Sequence, residues 1–206
     1  MVQEIIIILS FAISIAAGIN LFGSLFILSL FTYFNFIEIK EYNFLSNEFI
    51  ISALFLLFLF EFIVDKIRGF DCALDSILFF AKIPIASFLS FLLAVNYDIF
   101  TQTGFFVLGG LVSSISHFIK LGIKIMANTS SKPENILVIS VAFDFFIIAI
   151  LLSVVTNHLV FYTILGLFLT FISWFLPEIF KGVKNIKLVV YGILTGYNRK
   201  ISPSKK

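Results

Sequence analysis

Long apolar runs separated by short polar breaks dominate the chain. Most of these runs are close to the length of about 20 residues that a helix needs to cross the hydrocarbon core of a bilayer. The apolar runs fall at about 5–36, 49–65, 76–97, 103–124, 136–156 and 159–180. The polar breaks fall at about 38–48, 66–75, 97–103, 128–135 and 156–158. The pattern predicts an all-α, polytopic transmembrane bundle of about six spans, in a domain that covers residues 1–180.

Two of these runs contain residues that interrupt a helix. The first run is too long for one straight span, and Gly18, Asn20 and Gly23 near its middle predict a broken first span. The third run contains Pro84, whose ring removes a helical hydrogen bond. Either Pro84 kinks this span, or the segment 66–84 forms a short interfacial or re-entrant helix ahead of a shorter span. The sequence is compatible with both arrangements.

The positions of the Lys and Arg residues predict the orientation, because cytoplasmic loops are enriched in both. Six alternating spans place thirteen of the fourteen at one side of the membrane and only Lys40 at the other. We therefore expect a multi-pass protein of the cell inner (plasma) membrane with both termini in the cytoplasm. Residues 181–206 form a basic cytoplasmic tail, compatible with an interfacial helix that docks on anionic lipid or on a partner.

The composition agrees with a membrane protein. The chain is 60% hydrophobic and 13% charged, with a mean hydropathy of +1.12, whereas soluble domains carry about 25% charged residues. The single cysteine, Cys72, excludes an intrachain disulfide. Residues 1–4 lack a positive charge, so we expect the first apolar run to be a retained segment and not a cleaved signal peptide.

Charged residues inside the predicted spans are the natural site candidates, because each costs about 2.5–3.5 kcal/mol on insertion scales and usually faces a bundle interior. Ser140 and Asp144 are one turn apart in the fifth span, and Glu61 and Asp65 are one turn apart at the inner end of the second. The fourth span carries a polar stripe on one face, consisting of Ser113, His117, Lys120, Lys124 and Asn128. We predict that these groups meet in one polar cluster in the cytoplasmic half of the bundle.

Structural roles explain the same residues in other ways. Lys120 and Lys124 are long enough to reach lipid headgroups from within the membrane. Glu61 and Asp65 have Lys66 and Arg68 nearby in sequence as interfacial partners. Asp144 paired with His117 or Lys120 would hold two helices together, and Asn20 would do the same through a hydrogen bond between helices.

Three sequence blocks carry a resemblance to a known family. The run Ala16-Ala17-Gly18-Ile19-Asn20 is similar to its "AAGxN" opening, and Glu61 to Asp71 is similar to its "E-x3-DKIPGxD" signature. The segment from His117 to Asp144 is similar to its "HxxKxxxR…NP…SxxED" block. Over about residues 10–160, the chain resembles an uncharacterised bacterial membrane family, domain of unknown function 4126.

The chain departs from the family pattern at three positions. Arg68 stands where proline is usual, Lys124 where arginine is common, and Phe143 where the first acid of "ED" would be. The loss of that acid leaves Asp144 as the only carboxylate in its block. The resemblance implies a small multi-span membrane protein, and the family brings no established activity.

The sequence leaves four functional hypotheses, which we rank. Transport of a small ion or solute comes first, with acids that bind a cation or proton and helix breaks that expose backbone groups. Binding or translocation of an anion or phospholipid headgroup by the lysines comes second. A non-catalytic scaffold or subunit comes third. An enzyme comes last, because no nucleophile, phosphate-loop or zinc-protease motif is present. Separately from this ranking, the sequence is compatible with a homo-oligomer whose pathway forms between subunits.

The sequence also predicts the ligands and the site residues. We expect no cofactor and no nucleic-acid partner, and no transition-metal ligand spacing is present, so any metal stays unassigned. The lipid bilayer and a partner membrane protein are the expected contacts. The candidate ligand- or ion-binding residues are Asn20, Glu61, Asp65, Asp71, His117, Lys120, Lys124, Asn128, Ser140 and Asp144.

Overall fold

The computed structural model describes residues 2–36, 40–67, 70–129, 134–156, 159–170 and 173, which are helical or form short connections, with no strand among them. Two compact units divide the chain, Met1–Phe168 and Leu169–Lys206, and all contacts described below lie within the first. Its α-helices are α1 Val2–Ile19, α2 Leu21–Tyr33, α3 Glu48–Val64, α4 Phe70–Leu93, α5 Ile99–Thr129 and α6 Glu134–Thr156. A 3₁₀ helix covers Lys40–Ser46, and a further apolar helix covers Leu159–Thr170.

Within the described residues, three helices are long and apolar enough to cross a membrane: Phe70–Leu93, Ile99–Ala127 and Leu137–Thr156. Large apolar side chains point outward from the bundle, including Phe80 at 78% exposed and Phe100 at 86% exposed. Several charged side chains are instead fully buried. This arrangement reverses that of a soluble domain and fits a protein whose outer surface contacts lipid. The chain is therefore a helical membrane protein.

Helices α4 and α5 form an antiparallel hairpin around the turn at 94–98. Asp98 begins α5, because its carboxylate accepts hydrogen bonds from the backbone N–H groups of Phe100 and Thr101 and from the Thr101 hydroxyl. The bonds from Thr101 also lower the pKa of the Asp98 carboxyl. This N-cap fixes where the long helix starts.

Small residues bring α1, α4 and α5 close together. A Cβ added at Gly109 would lie 2.6 Å from the Ser90 Cβ, and one added at Gly18 would lie 2.3 Å from the Ser113 carbonyl oxygen. The Ser14 and Ser90 hydroxyls are 3.0 Å apart. Close approach of backbones at small residues is a usual source of helix association in membranes, where the hydrophobic effect between helices is absent.

The first apolar run forms two helices that turn back on each other at Asn20. The Ser14–Ser90 contact and a groove lined by Ile7 and Phe105 show that α1 starts near the 94–98 turn. After α2, the 3₁₀ helix returns to the same end of the bundle, since the Tyr42 hydroxyl donates to the Leu89 carbonyl at 2.8 Å. The expectation of one broken span through the bundle is therefore corrected to a helical V.

Pro84 lies inside a continuous helix. Helix α4 runs from Phe70 to Leu93 with Pro84 in its interior, so the alternative of a separate short helix in 66–84 is wrong for its described part, 70–84. The third predicted span accordingly starts six residues earlier than about 76. Arg68, Lys132 and the predicted basic tail at 181–206 lie outside the described residues.

Candidate functional site

The break between α1 and α2 is the point around which the site is built. Asn20 adopts an extended conformation with φ −140° and ψ 106° between the two helices. Its side-chain oxygen accepts a hydrogen bond from the Gly23 N–H at 2.8 Å, which caps α2. Its amide nitrogen donates to Asp144 at 3.2 Å. Asn20 therefore ties the break to α6, a more specific role than general contact between helices.

Two lysines hold the carboxyl end of α1. The Ile19 carbonyl accepts hydrogen bonds from the Lys82 Nζ at 3.1 Å and from the Lys120 Nζ at 2.8 Å. The His117 ring is hydrogen-bonded to the neighbouring Gly18 backbone. The last carbonyls of a helix carry partial negative charge and lack partners within the helix, so cations are the favourable groups at this position.

A carboxylate holds the amino end of α2. Glu61 accepts a hydrogen bond from the Phe22 N–H through Oε2 at 2.9 Å. Its second oxygen, Oε1, is buried, has no hydrogen-bond partner among the residues that the structure describes, and lies 3.6 Å from the Lys82 Nζ. An anion at a helix N-terminus is favourable for the reason that cations are favourable at the other end. At the break, the carboxyl end of α1 thus faces positive side chains and the amino end of α2 faces a negative one. Each helix end meets the charge that is opposite to its own partial charge.

The side chains that hold the helix break belong to a larger buried network of charges. We call this network the ion-pair cluster, and it consists of Glu61, Asp65, Asp75, Lys82, Lys120 and Lys124. Asp75 contacts Lys82 at 2.6 Å, Lys120 at 3.2 Å and Lys124 at 3.1 Å. Asp65 contacts Lys120 at 2.8 Å and also pairs with Lys124. Three carboxylates and three ammonium groups balance when all are ionised, which reduces the cost of removing them from water.

Asp144 lies at the rim of this network and is partly exposed. Its partner is Lys66 at 2.7 Å, and the two side chains are 12% and 16% exposed. Lys66 also donates to the Phe62 carbonyl and lies over the Phe62 ring. The structural alternative in which Asp144 pairs with His117 or Lys120 therefore does not hold: Asp144 contacts Lys66 and Asn20.

The other predicted site residues have different relations to the cluster. Ser140 donates to the Asp65 carbonyl at 2.8 Å, and Asp71 is fully buried near the start of α4. His117 is buried with its ring against Phe79, and its Nδ1 has no hydrogen-bond partner. Asn128 belongs to α5, but its side chain is outside the described part of the structure.

The alternative in which Lys120 and Lys124 reach lipid headgroups does not hold. Both side chains are fully buried, and their Nζ atoms contact Asp65 and Asp75. Their length serves to reach carboxylates across the bundle and not the membrane surface. Among the described residues, no group of three or more His, Cys, Asp or Glu is placed to hold a metal ion.

The sequence model of a family described as a domain of unknown function (DUF4126) matches residues 7–178. The chain belongs to this family. The matched region of this DUF4126 protein contains the helix break and the whole ion-pair cluster. In the comparisons with curated proteins and with solved structures, no match was found.

Sequence reasoning missed two members of the cluster, Asp75 and Lys82. Lys82 was assigned to a cytoplasmic end because the third span was expected to begin at about residue 76. Helix α4 begins at Phe70, so Lys82 lies twelve residues, or about 18 Å, along it and near its middle. The available signal was the spacing of seven residues between Asp75 and Lys82, which places both on one face.

Proposed function

We propose that this protein moves a small ion or solute across the membrane through the ion-pair cluster and the α1–α2 break. The observation that carries the proposal is the position of the break: the Ile19 carbonyl and the Phe22 N–H are inside the bundle and face charged side chains. Interrupted helices with exposed backbone groups form the substrate and ion sites of many transporters. Buried ionisable residues in membrane helices commonly mark ion or proton pathways.

The buried charges of the ion-pair cluster are costly to place in a membrane protein, so their presence needs an explanation. Buried ion pairs are weak evidence for stability, because apolar side chains of similar volume often replace them without loss. Small residues already bring α1, α4 and α5 into close contact. The cluster is therefore not needed merely to hold these helices together, which favours a role in moving charge.

Access to the cluster is best supported at the Lys66–Asp144 pair. These two side chains are 16% and 12% exposed, whereas the cluster behind them is buried. Asp144 also contacts Asn20 at the break. A change in the Lys66–Asp144 pair would consequently reach the break through one hydrogen bond. We assign this pair to the cytoplasmic opening of the pathway.

The proposed orientation keeps the charged end of the bundle in the cytoplasm, as the Lys and Arg positions favour. Because α1 starts near the 94–98 turn, the N-terminus then faces the opposite side. The helix Leu159–Thr170 runs antiparallel to α6, since the Phe146 and Phe168 rings stack at 4.6 Å, and the apolar run continues to about residue 180. We thus place the C-terminus in the cytoplasm and revise the N-terminus to the outside of the plasma membrane.

Labelling of single cysteines tests this orientation. In a Cys72→Ser background, Gln3→Cys should react with a membrane-impermeant maleimide on intact cells, whereas Ser204→Cys should react only after permeabilisation. The physical reason is that a helical V enters and leaves the membrane on one side. Labelling of both positions only after permeabilisation would contradict the V and restore a crossing first span.

Flux through proteoliposomes tests the transport proposal. Vesicles loaded with a pH-sensitive dye and given opposed Na⁺, K⁺ or pH gradients should show flux with the native protein. Asp144→Asn should abolish it, because the rim carboxylate is lost while an amide can still contact Asn20. The matched control is Asp98→Asn, a carboxylate at the 94–98 turn that should leave flux unchanged.

A structural role is the second candidate, and the pairing of every lysine in the cluster with a carboxylate favours it. In that case Asp144→Asn and Lys120→Gln would lower thermal stability in detergent, and the native protein would show no flux under any gradient. An anion or phospholipid site is less favoured, because these lysines are buried. Loss of co-purified phospholipid in Lys120→Gln, with no flux in the native protein, would replace our proposal with that one.

A further inference from the structure

We infer that Glu61 is the group in the ion-pair cluster that takes up a proton, so that the proton is the coupling ion of the site. This inference rests on the proposed transport function and specifies its chemistry. The three carboxylates of the cluster have unequal partners, and Glu61 lies at the helix break.

Glu61 is the least engaged of the three carboxylates. Asp75 contacts three lysines between 2.6 and 3.2 Å, and Asp65 contacts two. Within the described part of the chain, Glu61 contacts one lysine, Lys82, at 3.6 Å. Its Oε1 is buried without any hydrogen-bond partner, although a carboxylate oxygen has two acceptor sites. Among the described residues, Oε1 is thus the buried carboxylate oxygen of the cluster that lacks a hydrogen-bond partner, and we assign the proton to it.

The ion pairs lost on protonation differ in the same order. A proton on Asp75 would weaken three lysine contacts, and a proton on Asp65 would weaken two. Of the described ion pairs, a proton on Glu61 would weaken the long contact with Lys82 alone, and Lys82 would keep Asp75 at 2.6 Å and the Ile19 carbonyl at 3.1 Å. The proton comes from water and forms an O–H bond at Oε1, with no exchange of electrons.

Protonation at this position acts directly on the helix break. Glu61 holds the start of α2 through the Phe22 N–H at 2.9 Å. A neutral carboxyl is a weaker acceptor than a carboxylate and no longer offers negative charge to the helix N-terminus. Uptake of a proton should therefore loosen α2 while Lys82 and Lys120 still hold the end of α1. Proton binding at Glu61 is thereby linked to a change in the arrangement of α1 and α2 at the break.

Other titratable groups surround Glu61, and each is a rival or an influence. His117 is the main rival, because its Nδ1 also lacks a partner. The buried and half-buried charged and titratable groups of the site, besides Glu61, are Asp65 at the end of α3, Lys66 beyond it, Asp71, Asp75 and Lys82 on α4, His117, Lys120 and Lys124 on α5, and Asp144 on α6. The experiment therefore has to separate Glu61 from both the aspartates and the histidine.

Infrared difference spectroscopy of the full chain in lipid nanodiscs makes this separation, because it detects the C=O stretch of a buried protonated carboxyl. Lowering the pH should produce this band in the native protein and in His117→Gln. The band should be absent in Glu61→Gln, whose amide can still accept from Phe22. It should be shifted, and not lost, in Glu61→Asp, which keeps a carboxyl at the position and controls for misfolding.

The outcomes distinguish this inference from the transport proposal. A band that persists unchanged in Glu61→Gln, or that is lost in Asp75→Asn alone, overturns the assignment of Glu61 even if the native protein shows flux. A band that depends on Glu61 supports the assignment, and if no gradient drives flux in the native protein it is the transport proposal that fails. Support for both requires that Glu61→Gln also removes the response of flux to a pH gradient.

Discussion

The two halves of the α4–α5 hairpin are held together by different chemistry. Near the 94–98 turn, Gly109 and Gly110 pack directly against Ser90 and Ser87. In the other half, Lys120 and Lys124 on α5 reach Asp75 on α4. The same two helices therefore associate through close backbone contact in one half and through buried ion pairs in the other.

This difference shows what the charges contribute. Close packing at small residues is sufficient for helix association in membranes and involves no desolvated charge. Ion pairs demand the burial of both partners and leave an uncompensated charge when one is removed. The charged half is thus the part of the hairpin in which a single proton or ion can change the balance of forces. The turn half is a fixed support for it.

The largest expected effect is in the charged half. Lys120→Met removes a cation that contacts Asp65, Asp75 and the Ile19 carbonyl, and loss of one partner in a buried network costs about 3–5 kcal/mol. We expect a clear fall in the midpoint of thermal unfolding in detergent. Lys40→Met, at an exposed lysine, is the matched control and should leave the midpoint unchanged.

A second variant sharpens this prediction. Addition of Asp65→Asn to Lys120→Met restores the balance of charge, so part of the lost stability should return. If Lys120→Met is as stable as the native protein, or if the double variant is less stable than the single one, uncompensated charge is not the dominant effect in this half.

A smaller effect is expected in the turn half. An added Cβ at Gly109 would meet the Ser90 Cβ at 2.6 Å and the Ala86 carbonyl oxygen at 3.0 Å, neither of which moves without the helix. Overpacking of this kind costs about 1–3 kcal/mol. Gly109→Ala should therefore lower the unfolding midpoint, and Ser90→Gly should restore part of it. These variants should leave proton-linked behaviour unchanged.

Gly110→Ala is the matched comparison for Gly109→Ala. Its added Cβ would meet the Ser87 hydroxyl oxygen at 2.4 Å, and this oxygen can rotate away. Alanine also has a higher helix propensity than glycine by about 1 kcal/mol. Gly110→Ala should be less destabilising than Gly109→Ala, and the reverse order in the same assay would contradict the packing described for this half.

Several features could be predicted from sequence because they depend on neighbours along one helix. The apolar runs predicted the helices, and Gly18, Asn20 and Gly23 predicted a break at the position where Asn20 is extended. The face shared by His117, Lys120 and Lys124 predicted a buried stripe, and all three are buried. Periodicity determines these features, so they need no knowledge of other helices.

Partners across the bundle could not be predicted in the same way. A structural alternative from the sequence paired Asp144 with His117 or Lys120, but Asp144 contacts Lys66 and Asn20. The sequence assigned Lys82 to a helix end, although Lys82 reaches the break near the middle of α4. It also predicted one span where α1 and α2 form a V. A break in a helix fixes where the direction changes but not by how much.

By itself, the sequence determined that the chain is a helical membrane protein with an interrupted first apolar run and costly charges on one face of α5. Hydrophobicity and helical periodicity are local properties, so they can be recognised in the sequence without knowledge of the tertiary structure. The tertiary structure alone decided which charges meet, that Asp75 and Lys82 belong with them, and that both ends of the broken helix are held by side chains of opposite charge. These features depend on how helices that are far apart in the chain cross each other. A buried charge needs a partner of opposite charge, and the packing of the helices determines which one is close enough.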